Sequence, residues 1–314
     1  MATIAWIGLG HMGLPMSGHL VAAGHRVVGV DLDPRATEAA AAKGVVIADS
    51  VAEALQGADA CVTSLPRPEH VRAVYGGEGG ILAHSARGTL LLDTSTVDVE
   101  TTAWCHREAA ARGLAFVDAP ISGGTAGAAA HTLTFMLGGE TDAVARAAGL
   151  VAPMAGAVVR CGGAGAGIAA KLANNMMLFV NVMAMAEGAQ LAARLGLDPR
   201  VFWEVASASS GSSWAVRTWY PVPGVVESAA ANRDFEASFS VDLALKDCAL
   251  AVAAGTAAGL RLPAAELARS QLEQLAADGL GGRDCTLVAR FPSPDGTIPG
   301  WHPSPSSEPA QELS

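Results

Sequence analysis

The chain has 314 residues, 51% hydrophobic and 16% charged, which supports a large buried core and excludes a natively unfolded polymer. Twenty Lys and Arg stand against thirty Asp and Glu, a formal charge of −10, and with no concentrated basic run neither nucleic acid nor an anionic membrane surface is an expected partner. The five cysteines, Cys61, Cys105, Cys161, Cys248 and Cys285, are dispersed without a CxxC pair, so neither a disulfide framework nor a metal site is expected.

In chain order, apolar runs at 4–7, 27–30, 61–64, 90–92 and 116–117 each lead into helical or turn-forming sequence, the signature of βαβ units in a parallel sheet covered on both faces. Two more strand runs, 133–137 and 157–161, flank a helix near 141–150. After the glycine-rich run 162–167 the pattern changes, and long Ala, Leu and Met stretches at 168–195, 239–258 and 264–277 predict helices alone. The expected fold is α/β: an N-terminal Rossmann-type doubly wound parallel sheet over 1–163, an all-helical domain over 164–290, and a flexible Pro- and Ser-rich tail over 291–314. The most apolar stretch, Leu172 to Ala186, contains Asn174, Asn175 and Asn181 and is closed by Lys171 and Glu187, too short and too polar for a membrane span. The first apolar run has no basic segment ahead of it, so a cytoplasmic protein is expected. The extent of apolar helix predicts a homo-oligomer, a dimer or a tetramer.

Gly8-Leu9-Gly10-His11-Met12-Gly13 follows the first strand and opens a helix. In this dinucleotide fingerprint Gly8 permits the tight turn, Gly10 lets a pyrophosphate reach the backbone, and Gly13 lets helix and strand pack closely. Asp31 ends the second strand at the offset where a carboxylate accepts ribose hydroxyls, while Asp33, just before Pro34, suits a helix cap. Two carboxylates there disfavour the extra phosphate of NADP, so NAD is the expected cofactor, with Arg35 as the residue able to reverse that preference. Leu65-Pro66 and Thr96 follow the third and fourth strands, at the sheet end where α/β folds bind ligands; each also reads as an ordinary loop residue.

Ser122, Gly123 and Gly124 offer a hydroxyl and uncovered backbone N–H groups suited to a carboxylate, or form a plain turn. Lys171, Asn174 and Asn175 are spaced i, i+3 and i+4, placing an ammonium and two amides on one face of an otherwise apolar helix. A polar group of this kind on a buried helix points to a cleft.

Four segments together resemble the β-hydroxyacid dehydrogenase family over residues 3–290: Gly-Leu-Gly-x-Met-Gly at 8–13, Asp-Ala-Pro-x-Ser-Gly-Gly at 118–124, Gly-x-x-x-Lys-x-x-Asn-Asn at 167–175, and Leu245-Lys246-Asp247. Ser209-Ser210-Gly211-x-x-Trp214 and Pro221 to Val225 are similar to the branch acting on 3-hydroxyisobutyrate. The resemblance implies NAD-dependent oxidation of that small β-hydroxyacid to methylmalonate semialdehyde in valine breakdown. It assigns Lys171 as the catalytic acid/base, Ser122, Gly123, Gly124 and Asn175 to substrate, Asn174 to their support, and Lys246 to cofactor or substrate. Without it, Lys246 reads as an i, i+4 partner of Asp242. The chain departs from the branch at Trp219-Tyr220, where Tyr-Asn is usual, at Ser238-Phe239 for Gly-Phe, and at Leu243-Ala244 for Leu-Met. Tartronate semialdehyde and succinic semialdehyde reductases are therefore alternatives. An imine reductase is disfavoured by Lys171, and a non-catalytic dinucleotide-binding protein has no need of a Lys-Asn-Asn face.

Overall fold

A computed structural model describes residues 1–302. The chain divides into two compact units, Met1–Lys171 and Leu172–Ser314. The first contains, in order, β1 (Thr3–Ile7), α1 (Gly13–Ala22), β2 (Arg26–Val30), α2 (Pro34–Ala41), β3 (Val46–Ile47), α3 (Val51–Ala54), β4 (Ala60–Thr63), α4 (Pro68–Tyr75), α5 (Ile81–His84), β5 (Leu90–Asp93) and α6 (Val99–Ala111). It continues with β6 (Ala115–Asp118), β7 (Ile121–Ser122), α7 (Gly124–Ala129), β8 (Leu133–Gly139), α8 (Thr141–Val151) and β9 (Ala155–Gly162).

Strands β3-β2-β1-β4-β5-β6 are joined in parallel in that order. β4 and β5 are buried along their whole length, which is why 60–62 and 90–92 read as continuous apolar runs rather than alternating ones, each strand ending in a buried polar residue, Thr63 or Asp93. The sheet is parallel-dominated, not wholly parallel. β8 runs antiparallel to both β6 and β7, and β9 lies parallel to β8. The reason is local: a parallel return needs a long crossover, whereas the six-residue α7 and a left-handed backbone at His131 (φ 59°) reverse the chain directly into β8. β3 and β7 have two residues each, too few to show a period in sequence.

Helix α9 (Ala166–Arg194) begins in the first unit and continues into the second, which also holds α10 (Pro199–Ala208), α11 (Trp214–Thr218), α12 (Val241–Ala257) and α13 (Pro263–Leu275). Asp198 caps α10 ahead of Pro199, and Ser240 caps α12 through the Leu243 N–H. By length and composition alone α9 meets the criterion for a membrane span, yet 44% of its most apolar window is buried in the protein, and some of its polar side chains are bonded there. Gln190, for example, donates to the carbonyls of Ala289 and Thr297.

That second bond corrects the expected tail. Over residues 291–302 the chain is packed, not loose: Ile298 is 3% exposed within the helical core, and Trp301 lies edge-on to Phe235 while donating to Asp234. Proline prevents regular structure there but does not prevent burial of the apolar side chains between the prolines. The remainder of the expected tail, 303–314, lies outside the described residues. Replacing Trp301 with Ala removes both contacts and is expected to lower stability by about 2 kcal/mol in denaturant titration.

Candidate functional site

The glycine motif forms the turn from β1 to α1. Gly8 has φ 96°, and a Cβ there would lie 2.3 Å from the Ser64 carbonyl oxygen; at Gly13 it would lie 1.9 Å from the Gly8 carbonyl oxygen. Trp6 donates from Nε1 to that same Gly8 oxygen at 2.9 Å, so both glycines are required by the protein's own packing. Gly10 differs: it is exposed, and nothing lies within 4 Å of where its Cβ would stand. Of the three glycines, this one leaves open backbone where a pyrophosphate would approach, and the motif fits a dinucleotide. Leu9 is fully buried, so it offers only its backbone to a ligand, whereas His11 is exposed and Met12 half-buried.

Asp31 is tied to this turn. Its Oδ2 accepts from the Leu9 N–H at 2.6 Å and its Oδ1 from the Asp33 N–H at 2.9 Å. Asp33 caps α2 by accepting from the Arg35 N–H, and its carboxylate also binds the Arg35 guanidinium. The hydrogen bond from Arg35 lowers the Asp33 pKa below its ordinary value.

At the carboxyl ends of β4 and β5 the structure assembles a buried network that sequence reading missed. Asp93 Oδ1 accepts from Thr63 Oγ1 at 2.7 Å and from both the hydroxyl and the N–H of Ser95, and Ser95 Oγ in turn accepts from the Leu65 N–H at 2.9 Å. Burial holds the Asp93 carboxyl above its ordinary range despite these donors. The loops carrying Leu65-Pro66 and Thr96 are thus joined through one carboxylate. Their side chains lie at or near the surface, with Pro66 exposed and Leu65 and Thr96 half-buried.

Ser122 lies on β7, paired with Thr134 on β8. It is followed by two left-handed glycines, Gly123 (φ 133°) and Gly124 (φ 64°), a backbone that side chains rarely tolerate, and the Cβ position of Gly124 faces open space. In the same unit, Asp118 at the end of β6 is 3% exposed and accepts from the N–H groups of Gly165 and Ile168 at the start of α9. Lys171 follows on that helix and is 6% exposed.

In the helical unit Asn175 is 1% exposed. Its Nδ2 donates to Asp247 Oδ2 at 2.6 Å, and its Oδ1 accepts from Asn174 Nδ2 at 3.1 Å. Asn174 itself is exposed, so the polar face of α9 is buried at Lys171 and Asn175 but not along its full width. Lys246 Nζ lies 3.0 Å from Asp247 Oδ1. In sequence Asp247, a carboxylate beside a lysine on a helix, reads as ordinary solvated charge, and only its burial reveals otherwise. Trp219 and Phe239, both in the departing segments, are neighbours in a run of rings from Phe179 through Phe239 and Trp219 to Trp214. Ser238 is anchored to Asp284 through its hydroxyl and its N–H.

A glycine turn fitted to a dinucleotide on a doubly wound sheet, followed by a helical unit in which buried Asn175 and Asp247 stand with the half-buried Lys246, defines a nicotinamide-dependent oxidoreductase. The family model described as the NAD binding domain of 6-phosphogluconate dehydrogenase matches residues 3–163, and that described as NAD-binding of NADP-dependent 3-hydroxyisobutyrate dehydrogenase matches 165–291. A probable 3-hydroxyisobutyrate dehydrogenase of Mycobacterium tuberculosis is 45% identical over 278 residues, 88% of this chain and 94% of the relative. An NAD-dependent L-serine dehydrogenase of Pseudomonas aeruginosa is 41% identical over 294 residues, 94% of this chain and 99% of the relative. The solved M. tuberculosis 3-hydroxyisobutyrate dehydrogenase with L-serine superposes with a TM-score of 0.86 at 43% identity, covering 93% of this chain and 99% of that one. The chain belongs to the 3-hydroxyisobutyrate dehydrogenase family, whose members are NAD(P)-dependent hydroxyacid dehydrogenases.

Two predictions follow from this geometry. Gly10→Ala is expected to fold normally yet weaken NADH binding about tenfold or more in a fluorescence titration, whereas Gly13→Ala should lower thermal stability first, because its methyl has no room. Because the folded Asp93 pKa is raised, the folded chain keeps this proton to higher pH than the unfolded chain does; stability therefore falls as pH rises from about 3.9 through the raised value. Asp93→Asn should flatten that part of the curve of melting temperature against pH.

Proposed function

We propose that the protein oxidises 3-hydroxyisobutyrate to methylmalonate semialdehyde with NAD, the step of valine breakdown that the family resemblance implies, a reading supported by relatives named 3-hydroxyisobutyrate dehydrogenase. The observation that carries this reading is the burial of Lys171 one helical turn before Asn175, whose amide is oriented by Asp247. When bound, NAD supplies a ring that accepts hydride from the carbinol carbon. Ser122 donates its hydroxyl to the substrate carboxylate, and the N–H groups of Gly123 and Gly124 add to that anchor. Lys171, as the neutral amine, removes the hydroxyl proton as the hydride leaves; in the reverse direction its ammonium returns a proton to the carbonyl oxygen. Asn175 orients the substrate with support from Asn174, and Lys246, its charge balanced by Asp247, serves the cofactor or substrate.

Asp31 accepts the ribose hydroxyls in this reading, and Arg35, held by Asp33, is drawn away from recognition of a 2′-phosphate. NAD is accordingly favoured over NADP. L-Serine is the second reading, supported by the serine dehydrogenase relative and by the L-serine in the solved neighbour; it shares the carboxylate and the β-hydroxyl and differs at the group on the α-carbon. We also propose a homodimer or homotetramer, on the exposed apolar side chains Met177, Leu191, Leu195, Val201 and Val205.

Steady-state kcat/KM for 3-hydroxyisobutyrate and L-serine, each with NAD and NADP, tests the assignment. The expected order places 3-hydroxyisobutyrate with NAD first; a higher value for L-serine selects the second reading. A base must be unprotonated, so oxidation should rise toward alkaline pH while reduction falls. Lys171→Ala should lose about a thousandfold in kcat with NADH binding retained, and full activity in that variant would remove the mechanism.

A further inference from the structure

We infer that Asp118 is a positioning residue whose buried carboxylate clamps the first turn of α9 to the end of β6, with His106 steadying the clamp, and thereby sets Lys171 relative to Ser122. The inference rests on the lysine mechanism proposed above. Asp118 Oδ1 accepts from the Gly165 N–H at 3.0 Å and Oδ2 from the Ile168 N–H at 2.9 Å. Amides at a helix start have no partner within the helix, and a negative charge there also complements the helix dipole. Lys171 lies three residues beyond Ile168, about 4.5 Å further along the axis. In the other direction, Ser122 lies four residues beyond Asp118 on the same segment. One carboxylate therefore links the stretch that carries the proposed carboxylate anchor to the turn that carries the proposed base.

The seat is shaped around this group. Gly138 is the register partner of Asp118 across β6 and β8, and a Cβ there would stand 2.7 Å from both Asp118 oxygens. A Cβ on Gly167 would stand 2.8 Å from Oδ2 and 2.4 Å from the Met136 carbonyl oxygen. Both positions must be glycine for strand and helix to close on the carboxylate. On the remaining side His106 Nε2 lies 2.7 Å from Oδ1, with its ring edge-on to Phe116 at 4.7 Å. Asp118 is thus enclosed by donors and backbone and acts through α9 rather than on the substrate.

Hydrogen exchange across residues 163–172, read together with steady-state kinetics, separates positioning from mere support. Asp118→Asn keeps volume and one acceptor; His106→Phe keeps the ring against Phe116 but removes the nitrogen, and His106→Gln restores an N–H near the same point. In Asp118→Asn we expect exchange at 165–168 to accelerate about tenfold or more and kcat to fall about a hundredfold, with KM for NAD within about twofold. His106→Phe should lose about tenfold in kcat, and His106→Gln should recover most of it. The proposal is overturned if exchange is unchanged in Asp118→Asn, if kcat and the KM for NAD deteriorate together, or if His106→Gln is no better than His106→Phe. Should Asp118→Asn fail to fold, the His106 pair decides by the same readings. Should the wild-type protein oxidise no β-hydroxyacid, the functional reading fails by itself and exchange alone judges the clamp.

Discussion

A carboxylate can be taken out of water only if the protein supplies the donors that water supplied. Four carboxylates among the described residues are almost wholly buried, Asp93, Asp118, Asp247 and Asp284, and each gathers partners from chain segments distant in sequence, Asp284 from Ser238 and Phe239. Asp93 joins the ends of β4 and β5 through Thr63 and Ser95. Asp118 holds the start of α9. Asp247 orients Asn175 from a different helix and lies beside Lys246. Leaving any one of these groups without its donors would cost several kcal/mol, so the loops and turns that present the candidate site residues are held by the need to satisfy a buried charge.

Glycine plays the complementary part, since close approach matters as much as charge. Gly8 and Gly13 bring α1 against β1, while Gly138 and Gly167 let backbone close around Asp118. Gly10 alone among the fingerprint glycines has open space before it, which distinguishes a residue kept small for a ligand from residues kept small for the fold. The same division of labour separates Asp31 from Asp33: one bonds to the glycine turn, and the other caps a helix and holds Arg35.

Membership of the 3-hydroxyisobutyrate dehydrogenase family fixes the chemistry at the level of hydroxyacid and NAD(P), while relatives named for 3-hydroxyisobutyrate and for L-serine match at similar identity. Discrimination between such substrates rests on the group at the α-carbon, apolar in one and charged in the other. Trp219 and Phe239 stand in segments that depart from the branch pattern and are joined in one run of rings.

Much was legible in the sequence because it is local. The parallel strands of the first unit, the glycine turn, the Asp33-Pro34 cap and the long helices follow from periodicity and spacing within a few residues. The spacing of Lys171 and Asn175 alone marks one helix face. What the tertiary structure decided depends on partners far along the chain: the antiparallel β8, the packing of 291–302, the exposure of Asn174, and above all which acidic residues are buried. Asp93, Asp118 and Asp247 look in sequence like any strand end or charged helix position. Desolvation is a property of the assembled fold, so no short-range pattern in the chain records it.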